Sequence, residues 1–110
     1  MYLELLATAT ATQQDLATAY TQTGRLAEVG QYFRALNIAT TLFFEQVEPP
    51  AALSEVHAAF LNWQKLGQEA LAEEIAAGEP VDNDTTRRYV EANQEFAQAM
   101  AAFVEAAQTV

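Results

Sequence analysis

Apolar side chains recur along this chain at alternating steps of three and four residues, the spacing of amphipathic helices. The clearest stripe is Leu26, Val29, Phe33, Leu36, Thr40, Phe43 and Val47, apolar at six of seven positions. Leu53, Val56, Phe60, Trp63, Gly67 and Ala70 repeat the spacing, with Leu71 and Ile75 widening the stripe. A last one runs Tyr89, Asn93, Phe96, Met100, Phe103 and Ala107. Charged residues such as Glu69, Glu73, Arg88, Glu91, Glu95 and Glu105 fall mostly off these lines.

The first 25 residues carry two patterns at once. Tyr2, Leu5, Ala9, Thr12, Leu16, Ala19, Thr23 and Leu26 follow the helical step, while Ala7–Thr12 alternates Ala and Thr as a strand would. Threonine is a mediocre helix former. With no partner strand elsewhere, helix is the better reading.

Two breaks divide the chain. Pro49-Pro50 ends the helix before it, because a proline forces its predecessor out of the α region. The second, Ala77-Gly78-Glu79-Pro80-Val81-Asp82-Asn83-Asp84, holds a C-terminal glycine, a proline and three N-cap candidates. Asp82 or Asp84 is the expected cap. Thr23-Gly24-Arg25 has no such cluster, so the first helix is expected to run through Gly24 and Gly30 to Val47, kinked near Gly24. At about 45 residues it would span about 68 Å. The expected architecture is a single all-α domain over 1–110, an antiparallel bundle of three helices with a long first one. A four-helix up-down bundle, with Gly24 ending the first helix, is the alternative.

Composition then removes whole classes of function. There is no cysteine, so disulfide frameworks, thiol redox chemistry, Cys-ligated zinc and iron–sulfur clusters are out. Five basic residues stand against 15 acidic ones, a net charge of −10 that repels nucleic-acid phosphate and anionic membrane surfaces. The longest uncharged runs, Leu5–Gln14 and Ala35–Phe44, are ten residues each, where a membrane span needs about 20. Met1-Tyr2-Leu3-Glu4 lacks the basic start of a signal peptide. Of 56 apolar residues 23 are alanine, which lets helices approach closely more than it enlarges the core. The charge is graded: residues 1–50 hold five acids and two bases, net −3, and residues 51–110 ten and three, net −7.

Candidate chemistry is thin. His57 is the sole histidine, and an E-x-x-H metal pair would need Glu where Ser54 stands. A structural role is expected for it, its ring bonding a neighbouring helix end; a ligand role is the alternative for His57 and Trp63. Ser54, the only serine, lies one helical turn from His57, which supplies no oxyanion hole or cleft. Asp82-Asn83-Asp84 fails the calcium-loop pattern, with Thr86 and Arg87 at its fifth and sixth positions. Glu69, Glu73 and Glu74 read as a solvated acidic face. No catalytic residue, cofactor or metal is therefore expected. Adjacent helical residues point about 100° apart, so Phe43 and Phe44 cannot face one seam. One of the two is expected against a further helix or on an interface, and Leu26, Val29 and Phe33 join them as candidate interface residues.

The stretch Phe43-Phe44-Glu45-Gln46-Val47-Glu48-Pro49-Pro50-Ala51-Ala52-Leu53-Ser54-Glu55-Val56-His57-Ala58-Ala59-Phe60 resembles a pattern in uncharacterised bacterial secreted or lipoprotein-anchored helical domains. There a helix ends in Pro-Pro, and the next opens with Leu, then His four residues on, then an aromatic three later. The resemblance covers 18 of 110 residues and implies a small α-bundle outside the bacterial cytoplasm. This chain departs from it in having no lipobox cysteine.

The leading functional expectation is a non-enzymatic interaction or assembly module that self-associates, as a dimer in the simplest case. A protein partner is possible, with no nucleic acid and no membrane insertion. The alternatives are a small-ligand carrier with an aromatic-lined cavity and an acidic decoy for a basic protein. The more neutral first half is where a partner is sought.

Overall fold

A computed structural model describes residues 1–23, 26–79 and 81–108, apart from the side chains of Tyr20, Thr21, Thr23, Leu26 and Ala27. Four helices follow one another: α1 (Tyr2–Thr23), α2 (Leu26–Glu45), α3 (Ser54–Ala77) and α4 (Asp84–Gln108). No described residue belongs to a strand.

The expected long first helix does not form. The Tyr2 and Phe44 rings lie 6.0 Å apart. On one straight helix, 42 residues would separate them by about 63 Å. The molecule's longest extent is only 49 Å, so α1 and α2 are an antiparallel hairpin, and the four-helix alternative holds. Gly24, the expected turn or kink, lies outside the described residues. The reason for folding back is packing. A helix about 68 Å long would leave much of its apolar stripe beyond α3 and α4, whereas the hairpin lays that stripe against itself and α3.

The Ala-Thr run is helical because its threonines bond back to their own helix. Thr10 Oγ1 donates to the Leu6 carbonyl at 2.8 Å, Thr12 to Thr8 at 2.9 Å and Thr18 to Gln14 at 3.0 Å. Those hydroxyls need no strand partner. After Pro49-Pro50 a short 3₁₀ turn, Ala51–Leu53, closes with Leu53 N–H on the Pro50 carbonyl and leads into α3. Gly78 ends α3 in the left-handed region at φ 75°, its N–H on the Glu74 carbonyl. The cap of α4 is Asn83 rather than Asp82 or Asp84: its Oδ1 accepts the Thr86 N–H at 3.0 Å. Asn83 Nδ2 and Thr85 Oγ1 also donate to Glu73, tying the start of α4 to the end of α3. Arg87 stays local, 3.8 Å from Asp84 on the exposed surface, and a pair of that kind stabilises little.

Helix α3 is the hub, with α2 and α4 antiparallel to it on either side. A run of aromatic contacts crosses the bundle: Tyr2 to Phe44 at 6.0 Å, Phe44 to Phe60 at 5.0 Å and Phe60 to Phe96 at 5.5 Å. These four rings come one from each helix, and Trp63 stacks on Phe96 at 5.3 Å beside them. The α3 stripe is buried as its spacing predicts, with Gln64 and Leu66 added because α3 has neighbours on several sides. In α2 the buried line is Gly30, Phe33, Asn37, Thr41 and Phe44, rotated by about one position from the predicted stripe. That helix faces two partners, and the line against α3 is the more deeply buried.

Candidate functional site: the α1–α2 face and the polar layer beneath it

The two uncharged ten-residue runs meet in space. Leu5, Thr8, Ala9 and Thr12 of α1 and Leu36, Ala39, Thr40 and Phe43 of α2 line one open groove of about 370 Å³. Small Ala and Thr side chains let the helices close in, and their floor is shallow. Two of its bulky lining residues are exposed, Phe43 at 49% and Leu5 at 37%. Among the described residues no ionisable side chain lines the groove.

Phe43 and Phe44 diverge as their adjacency requires. Phe44 is buried against Tyr2 and Phe60, while Phe43 stands on the surface with its ring 5.2 Å from Phe44 at 85°. Phe33 is likewise buried in the chain's own core and Val29 half-buried, leaving Phe43 the most available of the candidate interface residues. The Leu26 side chain lies outside the described residues.

Beneath the face runs a layer of buried polar side chains that hydrophobic spacing does not reveal. Gln13 and Gln64 exchange two hydrogen bonds, Gln13 Nε2 to Gln64 Oε1 at 2.6 Å and Gln64 Nε2 to Gln13 Oε1 at 3.0 Å. Thr41 Oγ1 donates to the Asn37 carbonyl and accepts from Gln68 Nε2, both at 2.8 Å. Asn37 Oδ1 and Trp63 Nε1 are buried without a hydrogen bond of normal geometry. Such a layer favours one alignment of the helices, since any slip leaves amides unpaired.

His57 sits on α3 with its Nδ1 2.7 Å from the Tyr2 hydroxyl, at the first turn of α1. Burial holds the imidazole below its ordinary pKa of 6.5 and pushes the Tyr2 phenol up. The hydrogen bond between the phenol and the imidazole fastens α1 to α3. Ser54 opens α3 on the exposed surface, and His57 Nδ1 is taken by Tyr2. Among the described residues no three His, Asp or Glu side chains gather to hold a metal ion. No described helix is long and apolar enough to cross a membrane.

On α3 and α4, Trp63 stacks on Tyr89 at 6.4 Å, and Gly67 lies where three helices meet. A Cβ on Gly67 would come within 2.9 Å of both Asn37 Nδ2 and Tyr89 Cε1. Burial pushes the Tyr89 phenol up; the Trp63 indole pulls it the other way, and the Glu74 carboxylate adds to the rise. No family model matches the chain, and searches of curated proteins and of solved structures find no similar one.

Proposed function

We propose that the chain is a homotypic assembly module that pairs with a second copy of itself through the outer face of α1 and α2. The observation that carries this is the uncharged groove on an otherwise strongly acidic chain. Of the net −10, the half containing this face holds −3 and residues 51–110 hold −7. Two such molecules repel least when the α1–α2 faces meet and the α3–α4 sides point apart.

Shape supports the same occupant. Knob and hole lie on one face, Phe43 beside the Ala-Thr floor, which is the requirement for a two-fold contact in which each copy fills the other. Helices of 22 and 20 residues are about 33 and 30 Å long, and two side by side are about 20 Å across. The uncharged stretch takes up ten residues of each, about 15 Å, so the pairing face offers about 300 Å² per copy, or about 600 Å² in all, the size of a weak, concentration-dependent contact.

Sedimentation equilibrium from micromolar to millimolar concentration tests it. Wild type is expected to pass from monomer to dimer, and Phe43→Asp to remain monomeric with its helical content intact. Val104→Asp, at an exposed position on α4, is expected to dimerise normally. Rising salt is expected to strengthen the pair by screening like charges, the reverse of what binding to a basic protein would show. A wild-type monomer throughout would overturn the proposal.

A further inference from the structure

Beside Gly67, where α2, α3 and α4 meet, the three helices line a second cavity, of about 210 Å³. Phe33 of α2, Leu71 and Glu74 of α3, and Tyr89 and Val90 of α4 form its walls. Phe33 is buried, and the Tyr89 ring is held by its stack on Trp63. Val90, 48% exposed, marks the side open to solvent. The amide of Asn37 comes up against the Gly67 wall from behind, and its Oδ1 is among the buried polar atoms without a partner.

Among the described residues Glu74 is the one acidic or basic side chain lining this cavity, and its charge is felt by the Tyr89 phenol. A carboxylate beside aromatic faces attracts an organic cation, through ion pairing and through the negative faces of the rings. The net −7 of residues 51–110 adds to that field and disfavours anions. A single carboxylate does not suit a hard metal cation, which takes six or more oxygen ligands. Volume limits the guest, since an apolar cavity of about 150 Å³ holds one benzene. One ring with a short arm fills this one.

We propose that the cavity binds a small arylalkyl primary amine, its ring between Phe33 and Tyr89 and its ammonium on Glu74. Glu74 has interactions of its own within the fold, and the ammonium adds to them. The site shares no residue with the pairing groove, so neither proposal depends on the other.

The test is titration of the intact chain with 2-phenylethylamine, 2-phenylethanol and phenylacetate. It is followed by calorimetry and by fluorescence of Trp63, the only tryptophan, which stacks on the Tyr89 wall. The amine is expected to bind saturably with one site per chain, about tenfold tighter than the alcohol, while phenylacetate does not bind. Glu74→Gln is expected to bring the amine down to the alcohol's affinity. Val90→Trp, at the mouth, is expected to remove both while circular dichroism is unchanged. No saturable binding of the amine up to about 10 mM would overturn the proposal. Equal affinity for amine and alcohol, or an unchanged amine affinity in Glu74→Gln, would overturn it as well.

Discussion

Replacing Gln64 by leucine tests whether the buried amide pair acts as a unit. Gln64 is 1% exposed and Gln13 4%, and between them they make two hydrogen bonds, at 2.6 and 3.0 Å. Gln64→Leu removes both bonds, each worth about 1 kcal/mol net. It also leaves the Gln13 amide buried without a partner, which costs about 1–3 kcal/mol more. The leucine returns about 1 kcal/mol through its greater apolar transfer energy. The single substitution is thus expected to destabilise by about 2–4 kcal/mol, and Gln13→Leu by a similar amount. With both replaced, no orphan remains and two leucines face one another, so the double variant is expected within about 1 kcal/mol of wild type. Urea unfolding of all four proteins measures the cycle, with a coupling of about 3 kcal/mol or more as the expected outcome. Single variants that cost under about 1 kcal/mol, with a double variant equal to their sum, would refute the reasoning.

Gly67→Ala places a methyl 2.9 Å from Asn37 Nδ2 and Tyr89 Cε1. Unfolding is expected to show a loss of about 1–3 kcal/mol from overpacking. Gly78→Ala meets nothing within 4 Å but must hold φ 75°, so thermal unfolding is expected to report a loss of about 1 kcal/mol from strain alone. His57 supplies a pH dependence. Its folded pKa lies below 6.5, so the unfolded chain binds more protons between the folded value and 6.5. Its contribution is complete above 6.5 and is lost as the pH falls through that window; urea midpoints across it are expected to fall, and His57→Gln to flatten that part of the curve.

Residues that speak through local chemistry were legible from the chain. The Leu53–Ala70 stripe is the buried side of α3, and Gly78 ends that helix where its backbone preference requires, while α2 stops at Glu45, short of the expected Val47 and of Pro49-Pro50. Closure of α1 on α2 was not legible, because Thr23-Gly24-Arg25 carries no proline or Asn/Asp cluster. Between Thr23, Leu26 and Val29 the stripe takes two successive steps of three, a break in phase that falls where α1 gives way to α2. The burial of Gln13, Asn37 and Gln64 leaves no trace in the hydrophobic pattern, since hydropathy records side-chain type and not whether two amides meet across a bundle. The partner of His57 was hidden for the same reason: Tyr2 is 55 residues away. Of the candidate interface set, Phe33 and Phe44 are apolar enough to serve either a core or a partner, and only packing decides between the two.

The claim that this chain pairs through its α1–α2 face is tested most directly by amide chemical shifts over a dilution series. Backbone NMR spectra recorded from about 1 mM, where weak pairs are populated, down to about 10 μM require no substitution. The expected concentration-dependent shifts cluster at Leu5–Thr12 and Leu36–Phe43, with α3 and α4 nearly silent. Spectra that do not change with concentration, or shifts concentrated on α4, would contradict it.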